Sequence, residues 1–181
     1  WSRILPNGTG KINEKGVEYY NRLINGLLER NIIPYLTLYH WDLPQVLQDL
    51  GGFLNKEFPQ WFLEYTKVVV SKFGDRVKHF FTFNEPQCIF NNAFAPGIQY
   101  TLKEQLVRVH NMLLAHGLSA KEIHKIPGAK VGYASCGMIP IPLTDSSEDY
   151  EVSKKLFFSI NKGNPVDSTT LYADPIFFGK Y

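Results

Sequence analysis

Strand-like segments alternate with segments of helical period along this chain, and that alternation restricts the fold more than any other feature. After a strand-like Trp1 to Leu5 and the turn Pro6-Asn7-Gly8, Asn13 stands where a helix cap is expected, with Ile12 and Val17 placed to staple the first turn. Val17, Tyr20, Ile24 and Leu27 share one helical face, and Glu29-Arg30-Asn31 closes that helix. Ile33 to Tyr39 is β-branched and aromatic, which predicts a buried strand. A loop from His40 to Leu54 then leads to Asn55, read as the cap of a second helix. In it Pro59 lies in the first turn, and Phe58, Phe62, Tyr65, Val69 and Phe73 recur at helical spacing up to Gly74.

The pattern continues with a strand from His79 to Phe83. Thr101 and Glu104 form a capping-box pair before a third helix, lined by Leu102, Leu106, Val109 and Leu113 and stopped by Pro127-Gly128. Lys130 to Ser135 reads as a further strand, and Glu148 to Asn161 as an amphipathic helix ended by Gly163-Asn164-Pro165. The predicted order is thus four strand-helix pairs. Strict alternation implies βαβ units and a parallel sheet covered by helices. A doubly wound sheet would carry a glycine-rich phosphate turn, and neither GxGxxG nor GxxxxGK[ST] occurs. A (β/α)₈ barrel instead gathers its chemistry at the carboxyl ends of its strands, where His40-Trp41-Asp42 and Asn84-Glu85 stand. Such a barrel takes about 250 residues, so the 181 residues are read as a single incomplete α/β barrel domain, about half of one.

Bulk properties remove several function classes. The formal net charge of +2 is spread without runs, which speaks against a nucleic-acid footprint or a membrane-binding basic patch. The longest uncharged apolar stretch, Val131 to Leu143, is broken by Gly132, Gly137, Pro140 and Pro142 and is too short for a membrane span. Cys88 and Cys136 are expected to be buried free thiols, or one bridge if the fold brings them together. His79, His110, His116 and His124 lack the i,i+3 or i,i+4 spacing of metal ligands, so no metal and no cofactor is expected. No GxSxG elbow supports acyl transfer. The chain opens on Trp1, with no signal or transit segment, and reads as an excerpt of a longer protein. Asn7-Gly8-Thr9 is a glycosylation sequon in a turn-like stretch.

The chemistry concentrates in Asn84-Glu85-Pro86. A carboxyl group at a barrel mouth is partly desolvated and can hold a proton, the property of a general acid. Pro86 is expected to push Glu85 toward extended backbone, because the proline ring disfavours helical geometry in the preceding residue. Strict alternation would send Asn84 and Glu85 to opposite faces, so both reach one ligand only if the strand twists or bulges at the rim. Asn84 offers a donor and an acceptor to a hydroxyl group. His40 adds a polar ring nitrogen and Trp41 a large apolar face, the pair of properties that a sugar ring requires.

In order along the chain stand Trp1-Ser2-Arg3-Ile4-Leu5-Pro6-Asn7-Gly8, Asn13-Glu14-Lys15-Gly16, Leu38-Tyr39-His40-Trp41-Asp42-Leu43-Pro44-Gln45 and Thr82-Phe83-Asn84-Glu85-Pro86. Ala95-Pro96-Gly97, the stretch from His110-Asn111 to Ala115-His116, and Asp174-Pro175-Ile176-Phe177 continue the pattern. The sequence resembles glycoside hydrolase family 1 over essentially its whole length, in particular the animal β-glucosidase, myrosinase-like and lactase-phlorizin hydrolase-like members. The resemblance implies a TIM barrel running here from about the end of strand 2 to just past strand 5. It implies Glu85 as the acid/base of a retaining β-glucosidase, with His40, Trp41 and Asn84 binding the sugar of a small β-glycoside, and secretion. The family's nucleophile glutamate, in a Thr-Glu-Asn-Gly motif on the seventh strand, has no counterpart among these residues, so the segment alone is not expected to hydrolyse. A non-catalytic glycan-binding relative and a thioglucosidase are the alternatives.

Overall fold

Three strands, Tyr35–Tyr39 (β1), His79–Asn84 (β2) and Lys130–Ala134 (β3), form one parallel sheet in the order β1-β2-β3. The computed structural model describes residues 1–94, 97–137 and 139–181, with the side chain of Phe94 excepted. Parallel neighbours require a crossover, and here each crossover contains a long helix. Phe58–Phe73 (α3) joins β1 to β2, and Leu102–Ile123 (α5) joins β2 to β3. Around them lie Glu14–Leu28 (α1), Gln45–Asp49 (α2), Pro86–Phe90 (α4), Ser147–Phe157 (α6) and Thr169–Phe178 (α7).

The apolar stripe read from α3 is its buried face: Phe58, Phe62, Tyr65, Val69 and Phe73 are all buried. Phe62 stacks on Phe83 of β2 with ring centroids 4.4 Å apart, and Trp1 lies flat on Tyr65 at 5.1 Å while its Nε1 donates to the Gly8 carbonyl at 2.7 Å. Aromatic pairs of this kind add roughly 0.5–1.5 kcal/mol beyond the area they bury. Between α3 and α5 a Thr66–Ser119 hydroxyl pair, 2.9 Å apart and wholly buried, keeps two polar groups satisfied inside the contact. Tyr35, exposed, stacks on His79 at 4.4 Å, and β1 and β3 each pair on one side only among the described residues.

Several sequence expectations are corrected. Trp1 to Leu5 is not a strand: Ile4 and Leu5 donate their N–H groups to the Trp1 carbonyl, and the segment is a turn that wedges Trp1 into the core. Among the described residues the sheet therefore has three strands instead of four. β1 begins at Tyr35, since Ile33 is exposed and Pro34 cannot donate to a ladder. Asn13 is the first helix's cap residue, but its side chain donates to the Arg3 carbonyl at 3.0 Å instead of capping. The stretch from His40 to Leu54 contains α2 and a 3₁₀ turn, Gly52–Leu54. The residue capping α3 is Glu57, whose N–H is accepted by the Asn55 side chain at 2.9 Å.

On α5 the expected Thr101–Glu104 capping box is present, with bonds in both directions. Its expected apolar face is half right: Val109 and Leu113 are buried, whereas Leu102 and Leu106 are exposed, and Gln105, Arg108, Asn111, Met112 and His116 turn inward. α6 ends at Phe157, not Asn161. α7 is unanticipated, because Pro175 reads as a breaker but lies inside the helix. Ala95 and Pro96, part of the family-like pattern, lie outside the described residues.

Candidate active site

β1 and β2 are paired with Tyr39 opposite Phe83, so the polar residues that follow each strand emerge side by side. Trp41 Nε1 donates to the main-chain carbonyl of Asn84 at 3.1 Å, and the Asn84 amide nitrogen lies 3.3 Å from His40 Nε2. With that ring nitrogen unprotonated, the amide donates to it and leaves Asn84 Oδ1 free to accept from a ligand hydroxyl. Asp42 steadies the group from below. Its Oδ1 accepts the His40 N–H at 3.3 Å, and its Oδ2 accepts from the Trp1 backbone nitrogen at 2.6 Å. His40, Trp41, Asn84 and Glu85 are thus brought together at one rim, Asn84 and Glu85 half-buried and Trp41 with 50% of its surface exposed. Half of the indole is left bare beside directed polar groups, an apolar face on which a ligand ring can stack.

The strand is irregular where the sequence requires it to be. Between Phe81 and Asn84 the register of β2 against β3 shifts. Thr82 and Phe83, consecutive, are both buried against helices, Thr82 on His116 of α5 and Phe83 on Phe62 of α3. That pairing departs from regular alternation, as a bulge against β3 permits, while the unshifted register with β1 brings Asn84 level with His40.

Glu85 departs from its expected backbone. It lies at φ 49°, ψ 61°, in the left-handed region, not in the extended geometry that Pro86 was expected to impose. Three bonds hold it there. Its N–H donates to the Ala134 carbonyl of β3 at 2.7 Å, and its own carbonyl accepts from Cys88 and Ile89 at 3.0 and 3.3 Å. The chain must turn from strand into α4 within one residue, with Pro86 in the first turn where its missing N–H costs nothing. Trp41, at φ 68°, shares the left-handed geometry. Only one other non-glycine among the described residues, Asn31, does so. Such conformations cost of order 1 kcal/mol or more and persist where surrounding bonds overdetermine them.

Sequence reading missed three contributions. Asp42 was seen only as part of a polar cluster, and its role follows from contacts 2 and 41 residues away. Arg108 was not singled out at all: its buried guanidinium lies over Tyr100 at 3.8 Å, donates to the Ile89 carbonyl at 3.1 Å, and helps line a cavity of about 260 Å³ with Trp41, Tyr39 and Cys88. An arginine in the third helix carries no such signal in its neighbours. The cysteines were expected to be buried; both are half-buried free thiols with sulfurs 3.5 Å apart, and their ligand atoms lie within 4.8 Å of a Glu85 oxygen. The histidine spacing that argued against a metal could not reveal this cluster, because Cys136 arrives from beyond β3.

Helix-covered parallel strands with their polar groups gathered at the carboxyl ends define a protein of the β/α-barrel class. The family model for glycosyl hydrolase family 1 matches residues 1–181. The chain is 38% identical over its full length to a 1,4-β-D-glucan glucohydrolase of Thermotoga neapolitana and 41% identical to β-glucosidase A of Acetivibrio thermocellus, covering 42% and 40% of those proteins. It superposes on a family 1 β-glucosidase from Thermotoga maritima in complex with isofagomine lactam with a TM-score of 0.84 at 37% identity, covering 100% of this chain and 40% of that one. An aphid myrosinase matches 98% of this chain and 39% of its own at TM-score 0.83 and 34% identity. The chain belongs to glycosyl hydrolase family 1. It spans about two fifths of the length of the relatives it matches, and its three described strands form part of the TIM barrel that those enzymes close.

Proposed function

We propose that the full-length protein is a retaining hydrolase of β-glucosides, with Glu85 as its acid/base and the nucleophile glutamate outside this chain. The observation that carries the reading is the position of Glu85: held by three main-chain bonds at a strand end, next in the chain to Asn84, whose carbonyl and amide meet Trp41 and His40. The names of the relatives agree with it.

In the first step Glu85 gives its proton to the glycosidic oxygen as the bond to the anomeric carbon breaks, and the second carboxylate, about 5 Å across the sugar, bonds that carbon. In the second step Glu85, now ionised, takes a proton from the water that attacks the same carbon and frees the nucleophile. Asn84 Oδ1 accepts from a sugar hydroxyl, His40 adds a second polar contact, and Trp41 stacks on the C–H face. Rigid placement matters because misplacing a reacting group by about 1 Å can cost about a hundredfold in rate.

A thioglucosidase would use the same sugar site, and the likeness to the aphid myrosinase keeps that second reading open. A glycan-binding protein without turnover has less support, since the carboxyl group a mere binder could lose is present in Glu85. Secretion belongs to the same proposal and rests on Asn7, exposed in a turn and followed by Gly8-Thr9.

The test is hydrolysis by the full-length protein of an aryl β-D-glucoside and of an S-linked counterpart, with proton NMR following the first-formed sugar. Release of β-glucose from the O-glycoside supports the proposal. First-formed α-glucose, cleavage of the S-glycoside alone, or binding without turnover contradicts it.

A further inference from the structure

Next to the candidate sugar site, Cys88 and Cys136 meet Glu85, their ligand atoms all within 4.8 Å of one another. Cys88 follows Glu85 by three residues, in the first turn of α4, and its N–H donates to the Glu85 carbonyl at 3.0 Å. Cys136 comes from the loop after β3, two residues past Ala134, which pairs with Asn84. The two sulfurs lie 3.5 Å apart, and one Glu85 oxygen lies within 4.8 Å of both. With Zn–S bonds of about 2.3 Å, two thiolates of a tetrahedral zinc site stand roughly 3.8 Å from each other. The sulfurs are therefore already at ligand spacing.

We propose that Cys88, Cys136 and Glu85 form a three-ligand site for a thiophilic divalent cation such as Zn²⁺, with the fourth position open to solvent. The metal takes the place of the thiol protons, so binding releases protons. Gln87 orients Cys136 from outside the cluster: its Oε1 accepts the Cys136 N–H at 3.4 Å and lies 3.5 Å from the sulfur, while its Nε2 donates to Ser135 Oγ at 2.8 Å. Gly137 permits the close packing of this loop, since a methyl group there would collide with the Thr169 hydroxyl.

If Glu85 is the acid/base, as proposed above, the occupied site withdraws its carboxylate from proton transfer and switches hydrolysis off. Metal binding itself does not depend on that reading. The experiment titrates the phosphine-reduced full-length protein with Zn²⁺ against a chromophoric chelator, and repeats the titration with Co²⁺ to look for sulfur-to-metal charge-transfer absorption. The site predicts one such ion, the charge-transfer band, and protection of Cys88 and Cys136 from alkylation mapped by mass spectrometry. Binding should weaken at least about a hundredfold in C88S/C136S, and about tenfold in Gln87→Ala with the band retained. The hydrolytic activity that C88S/C136S shows should be insensitive to Zn²⁺ at concentrations that inhibit the wild type. Zn²⁺ affinity unchanged in C88S/C136S, absence of the band in folded protein, or a Cys88–Cys136 disulfide forming in preference to the metal complex would overturn the site. Metal binding without inhibition would leave the site standing and count against Glu85 as acid/base.

Discussion

Trp41 reaches across from the end of β1 to the end of β2, its Nε1 donating to the Asn84 carbonyl at 3.1 Å. One indole thereby fixes the residue before Glu85 and offers its own face to a ligand. The two duties separate by substitution. Trp41→Phe removes the N–H and keeps a ring; it should cost about 1 kcal/mol or less in stability, and raise KM for a β-glucoside moderately. Trp41→Ala removes the face as well and should raise KM further. Steady-state kinetics with denaturant unfolding checks both, and equal KM values for the two variants would contradict stacking.

Asn111 joins α5 to the segment before α3, its Nδ2 donating to the carbonyls of Phe53 at 2.8 Å and Asn55 at 3.3 Å. Asn111→Ala leaves both acceptors without that donor and should destabilise by about 1–3 kcal/mol. Asn111→Asp should be worse at neutral pH, because it sets a carboxylate against two carbonyl oxygens in a buried position. Urea midpoints report the order, and a neutral Asn111→Ala would contradict it.

His116, buried on α5, is 2.8 Å from the Thr82 hydroxyl, and burial, with a smaller contribution from His124, lowers its pKa to about 4. The unfolded chain protonates this histidine near pH 6.5, so it binds more protons than the folded state over the interval below that value. Stability is therefore retained above about pH 6.5 and lost as the pH falls toward 4, by at most roughly 3 kcal/mol. A paired T82V/H116L replacement should flatten that part of the stability profile. A wild-type profile flat between those pH values would contradict the buried neutral imidazole.

Elements whose signals are local were legible in the sequence. The stripe of α3 and the capping box of α5 depend on spacings within one turn or two, and both are present. His79 to Phe83 was legible because aromatic residues in a buried parallel strand leave a continuous apolar run. Trp1 to Leu5 misled for the same reason: an apolar run is equally what a turn carries when its Trp must fill a core. α5 was misread on one side because its buried polar residues, Asn111 and His116 among them, find partners far away in sequence. At the site, the residue types were legible and their geometry was not. The left-handed Glu85 depends on Ala134, and the thiol pair on Cys136, neither of which stands near residue 85 in the chain.

The most direct test of the account compares wild-type and Glu85→Gln full-length protein on two β-glucosides, one with a good leaving group and one with a poor one. An acid is needed most where the leaving group is poor. The account predicts that kcat for the poor leaving group falls by about a hundredfold to ten-thousandfold, while formation of the glycosyl-enzyme from the activated substrate is much less affected. Equal loss in the glycosyl-enzyme-forming step, read as kcat/KM, on both substrates, or no loss on either, would contradict Glu85 as the proton donor.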